Sequence, residues 1–435
     1  MKNIYWEKGE FKWWILLLCS YHFFPFITTR GSTLMYLWAY GIPIIYMAFN
    51  LNYLKKLINV VVRTEVLQCV VFLVLLSCLS ILVPILYGTY DFTYFSDAIM
   101  TMLKILFRML FIVLLIMRFI PNATKETFMK YFIFSCCLYI CGTIVMLIVP
   151  HIRELFLELV KESEYSKELA AETRYSTRYG WAGFSGFEYT FKCVLALIFN
   201  DYFISKVLKH KKMWYMIGVS LFLMVGTLFY GRVGVLFGIV IFVFLFIRLL
   251  VKRPKILLAV ISIGVMGCVA LVVLYNKSEA VQSWVAWAFD LFINFFKTGK
   301  LETYSSNVLL DKMLFVPEAK TMLFGDGRYT ADTGSYYMST DAGIMRTMLF
   351  GGIVFAGIRY LSLYMLLIVN ALKKGQSSET KRLLYWVLIL CITFEIKGEI
   401  LFSCLPIVLW LIVMDKYGYG GIIGNGKRFE FKKIG

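Results

Sequence analysis

The chain has 435 residues, of which 60% are hydrophobic and 17% are charged, and its mean hydropathy is +0.74. Soluble domains average roughly 45–50% apolar and about 25% charged residues, so this composition excludes an ordinary soluble protein and indicates a polytopic membrane protein. The net charge is +18. Because the basic residues cluster in short loops between apolar runs, they favour membrane topology and contact with anionic head groups over nucleic-acid binding.

Apolar runs close to the roughly 20 residues that cross a bilayer predict twelve membrane-spanning helices. In chain order they cover 12–29, 32–49, 66–87, 98–120, 128–150, 184–205, 214–230, 234–250, 256–275, 341–372, 383–396 and 400–414. Alternate connections are rich in lysine and arginine, so the positive-inside rule makes these connections and both termini cytoplasmic. The expected fold is an all-α integral membrane protein with about 12 transmembrane helices, forming one polytopic domain over 1–435.

Two long segments lie on the opposite, outer (periplasmic) face, at approximately 151–183 and 276–340. In the first, apolar residues recur at helical spacing from Ile152 to Leu159, which predicts an amphipathic helix on the membrane surface. The second opens with a similar face rich in aromatics, and Ser306 is placed to cap a further short helix. Both segments are expected to pack as lids against the outer mouth of the helical bundle.

Metal and disulfide chemistry are not expected. The ten cysteines all fall in predicted spans, so no disulfide framework is suggested. The three histidines, His22, His151 and His210, are far apart in sequence, which argues against a metal centre. No cleavable signal peptide is evident, because Pro25 and Arg30 follow the first span without a small-residue cleavage pattern.

Outer arginines are the first candidate site residues. Arg174 and Arg178 lie in the run RYSTRYGWAGFSG, which ends the first outer segment. Guanidinium groups with hydroxyls and flexible backbone at a bilayer surface suit a phosphate, although an arginine there also serves to anchor a helix end. Arg232 lies in a tight outer hairpin, YGRVG, against the positive-inside bias; snorkelling is the competing interpretation.

The polar stretch 321–352 is the second candidate, because it runs straight into the tenth predicted span. Its polar members are Asp326, Arg328, Tyr336, Tyr337 and Asp341. Carboxylates and tyrosines are typical sugar ligands, and a carboxylate also activates hydroxyls. For Asp341 the alternative is a plain N-cap of the tenth helix.

Charges inside spans form a third group, since such charges usually pair or line a polar cavity. Glu188 and Lys192, spaced i,i+4, and the run from Glu395 through Lys397 to Glu399 are expected to be structural pairs. Lys104 and Arg108 have no local acidic partner, so they either face an anionic ligand or snorkel outward. Arg346 and Arg359 complete the set.

These motifs together resemble the Wzy-type O-antigen and capsule polymerases of the O-antigen ligase/polymerase superfamily. The resemblance rests on Arg178-x-Gly180 before Phe-Ser-Gly, on Gly-Arg232-x-Gly, on FGDGRY through TDAGIMRTMLFGGI, and on Lys397 in the penultimate outer turn. It implies a metal-independent and cofactor-free glycosyltransferase on the outer face of the bacterial cytoplasmic (inner) membrane. Such an enzyme moves a growing glycan from undecaprenyl pyrophosphate onto a new lipid-linked repeat unit, in a pathway that includes a flippase and a chain-length regulator.

The resemblance assigns roles to ten residues. Arg178, Arg232 and Asp341 are the expected catalytic residues, the arginines stabilising the departing pyrophosphate. The expected substrate-binding residues are Arg174, Asp326, Arg328, Tyr336, Tyr337, Arg346 and Lys397. Related ligases carry a histidine in the large outer loop, and this chain has none there, so the base is open between Asp341, Asp326 and no strong base.

Two other functions stay open. An O-antigen ligase of the same superfamily is disfavoured by the missing loop histidine. A lipid-linked oligosaccharide flippase is disfavoured by the long outer segments and the lack of two related halves. The sugars joined, the linkage, the product class (O-antigen, capsule or exopolysaccharide) and the oligomeric state are not encoded in any motif.

Overall fold

A computed structural model describes residues 6, 9–162, 164–184, 186–207, 212–300 and 302–420 of the chain. Helices dominate, because a backbone in lipid must satisfy its hydrogen bonds within its own segment. The α-helices are α1 (Trp13–Phe23), α2 (Ser32–Tyr36), α3 (Ile42–Phe49), α4 (Leu51–Val62), α5 (Val66–Leu86), α6 (Met100–Phe119), α7 (Lys125–Ile148), α8 (Pro150–Leu159), α9 (Glu164–Ala171), α10 (Phe187–Val207), α11 (Lys212–Tyr230), α12 (Arg232–Lys252), α13 (Pro254–Tyr275), α14 (Glu279–Ala288), α15 (Asp290–Thr298), α16 (Tyr304–Val308), α17 (Ala319–Phe324), α18 (Gly343–Leu372), α19 (Ser378–Lys397) and α20 (Leu401–Gly420).

Shorter elements join these helices. Within the described residues, π-helical turns lie at Leu37–Gly41, Tyr94–Ile99 and Leu309–Met313, and 3₁₀ turns cover Thr173–Arg178 and Tyr337–Ser339. Strands β1 (Tyr179–Gly180) and β2 (Gly183–Phe184) pair antiparallel, with Tyr179 opposite Phe184 and Gly180 opposite Gly183. The predicted cytoplasmic C-terminus, residues 421–435, lies outside the described residues.

Eight helical stretches within the described residues are long and apolar enough to cross a membrane. They are Ser32–Phe49, Val66–Leu86, Tyr94–Phe119, Lys125–Ile148, Met213–Tyr230, Arg232–Lys252, Pro254–Tyr275 and Gly343–Leu372. The protein is therefore an all-α, multi-pass membrane protein, as predicted. The other four predicted spans are also helical, as α1, α10, α19 and α20, and α1 is shorter than expected, with 11 residues.

The core lies around α10 and α20. Both helices are buried along most of their length, whereas α13 is mostly exposed. Helix α10 carries a charged pair inside the bundle. Lys192 pairs with Glu188 at 2.7 Å, as predicted, and donates to the carbonyl of Phe23 at 2.7 Å. Buried charges of this kind persist only when they are paired.

The two ends of the bundle differ. One end, here called the long-loop end, gathers residues 24–31, 88–93, 149–162, 164–184, 186, 231, 276–300, 302–342 and 398–400. Hydrogen bonds join these connections, for example from Thr29 N to Leu159 O at 2.8 Å and from Thr89 Oγ1 to Gly327 O at 2.5 Å. The opposite end, here called the basic end, carries the lysine- and arginine-rich connections.

A kink in α18 explains the glycines of the stretch 321–352. Gly352 has φ +69°, which a residue with a side chain rarely adopts, and its backbone breaks the helix. Carbonyls freed near this kink accept hydrogen bonds from residues 325–328, here called the GDGR turn. Asp326 N donates to Leu349 O at 2.7 Å, and Gly327 N donates to Phe350 O at 3.0 Å. The GDGR turn therefore stabilises the kinked helix through backbone hydrogen bonds.

The long segments are helical as predicted, with one correction. Helix α8 covers the amphipathic run of the first segment. In the second segment the N-cap is Thr303, not Ser306: Thr303 Oγ1 accepts from Ser306 N at 3.1 Å, and Ser306 Oγ accepts from Thr303 N at 2.7 Å. This reciprocal pair is a capping box, which starts the helix three residues earlier than predicted.

Candidate functional site: a cationic cluster at the long-loop end

Arg178 lies in an aromatic enclosure at the long-loop end. It closes the 3₁₀ turn before β1, and its Nε donates to the Tyr230 carbonyl at 3.0 Å. Its Cζ lies 5.5 Å from the ring centroid of Tyr175, 5.4 Å from that of Phe184 and 5.5 Å from that of Trp287. Ring faces attract a cation, so the enclosure holds the guanidinium in place.

Arg232 begins α12 and meets the same tryptophan. Its Cζ lies 5.2 Å from the Trp287 centroid, and its Nη1 lies 2.7 Å from Asp290 Oδ2. The tight hairpin predicted between two spans is confirmed, because α11 ends at Tyr230 and α12 starts at Arg232. The structure thus brings the two arginines, 54 positions apart in number, under one indole ring.

Lys397 and Asp341 complete this group, which we call the arginine cluster (Arg178, Arg232, Lys397 and Asp341). The ammonium of Lys397, at the end of α19, interacts electrostatically with Arg232, Asp341 and Arg178. Helices α12 and α19, the first outer segment and the residues just before α18 therefore each contribute one member, although these parts are dispersed along the chain.

Asp341 does not cap α18. The N-cap residue is Ala342, without a side-chain cap hydrogen bond, which overturns the capping interpretation. The Oδ1 atom of Asp341 is buried and has no hydrogen-bond partner among the described residues. Burial raises the pKa of Asp341 above its ordinary value, against the opposing charges of Lys397 and Arg346. A carboxylate in this state is suited to accept a proton.

The arginine cluster carries more positive than negative charge. Within the described residues, Arg178 has no carboxylate at ion-pair distance. Burial, together with the charge of Arg232 and against the opposing effect of Tyr175, lowers the pKa of Arg178 to about 10, so the guanidinium stays charged at neutral pH. Among the described residues, the three cations face two carboxylates, Asp341 and Asp290, and an anionic ligand would balance the remaining charge.

A second charged group adjoins the first, and we call it the glutamate network (Arg346, Arg359, Glu395, Glu399 and Tyr329). Arg359 contacts Glu395 at 2.6 Å and Glu399 at 2.8 Å, and Arg346 contacts Glu399 at 2.9 Å. The hydroxyl of Tyr329 donates to Glu399. The predicted pairing among Glu395, Lys397 and Glu399 is therefore wrong. Because α19 packs against α18, the two glutamates pair with the arginines of α18 instead of with Lys397.

The charges of the glutamate network neutralise one another inside the protein. Arg359 is fully buried, and Glu395 Oε2 also accepts from the backbone N–H groups of Ile400 and Leu401, at 2.9 and 3.0 Å, which satisfies the start of α20. Arg346 lies between two tyrosine rings, 3.8 Å from the centroid of Tyr329 and 4.2 Å from that of Tyr336. Arg346 and Tyr336, both predicted to bind substrate, therefore contact each other, and Arg346 is mostly buried whereas Tyr336 is exposed.

The GDGR turn is also held internally. Asp326 Oδ1 accepts from Thr321 Oγ1 at 2.7 Å, and its Oδ2 accepts from the hydroxyl of Tyr337 at 3.3 Å. Arg328 forms an exposed pair with Asp332 at 2.9 Å. Asp326, Arg328 and Tyr337 therefore stabilise the loop itself. They belong to the GDGR turn and its surroundings, not to the arginine cluster under Trp287.

Asp91 clamps this turn from the connection between α5 and α6. Its Oδ2 accepts from Tyr329 N at 2.6 Å and from Thr330 N at 2.8 Å. Burial raises the pKa of Asp91, but these backbone donors and the Thr93 hydroxyl outweigh it, so the pKa lies below its ordinary value. The carboxylate is therefore charged and structural.

Sequence reasoning missed Trp287, Asp290, Tyr329 and Asp91 as members of these groups. Trp287 and Asp290 belong to amphipathic helices whose pattern shows only an apolar face, and Asp91 lies in a short loop without a motif. The side chain of Arg174 lies outside the described residues. Among the described residues, no three His, Cys, Asp or Glu side chains are grouped so as to hold a metal ion.

Fold and site together define the class: an all-α, multi-pass membrane protein with a half-buried, cation-rich cluster at one end. Comparison with known proteins does not define the class more closely, because no family model, no curated protein and no solved structure matches the chain. The functional argument therefore rests on the residues themselves.

Proposed function

We propose that the protein polymerises undecaprenyl-pyrophosphate-linked oligosaccharide repeat units into O-antigen or capsular polysaccharide. The observation that carries the proposal is the arginine cluster, in which Arg178 has no carboxylate at ion-pair distance among the described residues and lies with Arg232 under Trp287. Two guanidinium groups held together at a membrane mouth form a receptor for a diphosphate, whose oxygens match their planar forks of donors.

The bundle is proposed to cross the bacterial cytoplasmic (inner) membrane twelve times, with α1, α10, α19 and α20 added to the eight apolar stretches. The basic end would face the cytoplasm, because lysine and arginine accumulate on that side. The long-loop end, with the arginine cluster, would then face outward. Lipid-linked glycans are polymerised on that side in the enzymes that this chain resembles.

In the proposed reaction, the bond between the anomeric carbon of the donor glycan and the pyrophosphate oxygen breaks. A hydroxyl oxygen of the acceptor repeat unit forms a new bond to that carbon, and its proton passes to Asp341. Negative charge grows on the departing pyrophosphate, where Arg178, Arg232 and Lys397 are already in place and need no reorganisation. Asp341 is favoured over Asp326 as base, since Asp326 is engaged with Thr321 and Tyr337.

Purified protein supplied with lipid-linked repeat units tests the proposal. A polymerase converts them into a ladder of longer lipid-linked glycans without lipid A core, whereas a ligase needs that core as acceptor. Absence of a ladder from active membranes, together with transfer to lipid A core, would make the protein a ligase instead.

A deletion strain separates the polymerase from a flippase. Loss of a polymerase leaves single repeat units on the cell surface, because export continues. Loss of a flippase removes surface glycan and traps the repeats inside. The second phenotype would refute the proposed function.

A further inference from the structure

Helices α14 and α15 bring a carboxylate of the protein itself to the arginine cluster. Asp290 Oδ2 lies 2.7 Å from Arg232 Nη1, and its Oδ1 accepts from Asn294 Nδ2 at 3.3 Å. Both members of the ion pair are partly accessible, with side-chain exposures of 24% for Arg232 and 31% for Asp290. The carboxylate therefore occupies a position that a ligand oxygen can reach.

We infer that Asp290 is a specificity-determining placeholder, which occupies one of two oxyanion positions in the cluster and yields it to a diphosphate but not to a lipid phosphodiester. The second position is Arg178, which has no carboxylate at ion-pair distance within the described residues. The identity of the diphosphate as a lipid-linked donor rests on the proposed function. The exchange itself does not.

The physical reason is competition. A tethered carboxylate acts at an effective concentration of about millimolar or higher, so every anion that binds Arg232 must outcompete it. A phosphodiester head group carries one negative charge, as Asp290 does, so it forms no stronger interaction with Arg232 than the carboxylate it would displace. Such head groups therefore do not displace Asp290, although they surround the protein in excess. A diphosphate contacts Arg178 and Arg232 together, and this additional charge-assisted bonding outweighs the carboxylate.

Trp287 is the positioning residue of this arrangement. Its ring faces both guanidinium groups, at 5.5 and 5.2 Å from their Cζ atoms, and so holds two like charges side by side against their repulsion. Trp287 lies near the end of α14 and Asp290 begins α15, so one helix junction supplies both the ring and the carboxylate of the cluster.

The test measures binding of inorganic pyrophosphate to the full-length protein by calorimetry, in maltoside micelles with and without phosphatidylglycerol. In pure maltoside, Asp290→Asn is expected to bind pyrophosphate about tenfold more tightly than the wild type, since the internal competitor is gone. Added phosphatidylglycerol should remove this gain, because its head group now occupies Arg232. Wild-type binding should change much less on addition of the lipid.

Asp311→Asn is the matched control, because it removes the same charge from an exposed position of the same segment. It corrects for the general effect of charge and of the lipid's surface potential. Asn294→Ala loosens Asp290 without removing it, so it should give a smaller gain, about two- to threefold, with the same lipid dependence. This variant keeps the test available if Asp290→Asn does not fold.

Equal pyrophosphate affinity of Asp290→Asn and wild type in pure maltoside would overturn the placeholder role. A gain that persists undiminished in phosphatidylglycerol would overturn the selectivity role. Neither readout involves glycan synthesis, so failure of the polymerisation assay would reject the proposed function and leave this inference standing.

Discussion

The arginine cluster and the glutamate network lie at the same end of the bundle and adjoin at Asp341, yet their charges are arranged in opposite ways. In the glutamate network, two arginines face two glutamates, and Arg359 is bonded to both carboxylates at full burial. In the arginine cluster, three cations face Asp341 and Asp290, and Arg178 contacts only rings and a carbonyl among the described residues.

The difference separates charges that the protein neutralises itself from charges for which we propose an anionic ligand. Removing water from a charge is costly, so a bundle keeps a buried ion that serves only stability when other charges neutralise it. The glutamate network meets this condition. The arginine cluster does not meet it, and an anion bound from outside would balance its remaining positive charge. The comparison predicts that arginines of the two groups respond differently to the same substitution.

Arg359→Ala has the largest expected effect. It leaves Glu395 and Glu399 without their shared partner in the interior, which is expected to cost about 3–5 kcal/mol of stability. The measurement is thermal unfolding of the purified protein in detergent. Arg328→Ala is the control, because its pair with Asp332 is exposed and contributes about 0–1 kcal/mol. Equal shifts in both variants would contradict a structural role for the glutamate network.

Arg178→Ala and Arg232→Ala should each slow chain elongation about 10²- to 10³-fold, the usual cost of a lost oxyanion donor. Their unfolding temperatures should stay close to that of the wild type, since each substitution removes a cation from a group with too many. Arg→Lys should rescue poorly, because the planar fork is lost. Long glycan chains of normal length in both alanine variants would refute the assignment.

Asp341→Asn should reduce elongation about 10²-fold and remove the acid limb of the pH–rate profile. In the wild type, the rate rises as Asp341 loses its proton, and burial raises the pKa of this group, so the limb lies above the pH at which an ordinary aspartate titrates. Stability has the opposite sign: the raised pKa favours the folded state at low pH, and this contribution is lost as pH rises through the folded pKa. An unchanged limb in the variant would exclude Asp341 as the base.

Asp91→Ala has the smallest expected effect, about 1–3 kcal/mol, because two backbone donors, of Tyr329 and Thr330, lose their acceptor. The pKa of Asp91 is depressed in the folded protein. Its contribution is therefore present above the ordinary aspartate pKa and is lost as pH falls through the folded pKa. Unfolding midpoints of variant and wild type should converge in acid, and a constant difference across pH would argue against the charged clamp.

The stretch 321–352 shows how far sequence reasoning reached. Its charges and tyrosines identified it as a candidate site that runs into the tenth predicted span, and α18 begins there, at Gly343. Its Asp326 and Arg328, however, are bonded within the loop. The kink at Gly352 also frees carbonyls of α18 that accept hydrogen bonds from the backbone of this turn, which holds the turn against the helix. A helix pattern does not reveal such a kink, because glycine is also tolerated in straight membrane helices.

The membrane class, the helical fold and the basic end followed from the sequence alone, because apolar length and the placement of lysine and arginine are local properties of the chain. Membership of the arginine cluster and of the glutamate network was decided only by tertiary structure. Asp290 meets Arg232 across 58 positions and Glu399 meets Arg346 across 53. Which charges neutralise each other depends on which helix faces pack together, and no local pattern encodes that choice.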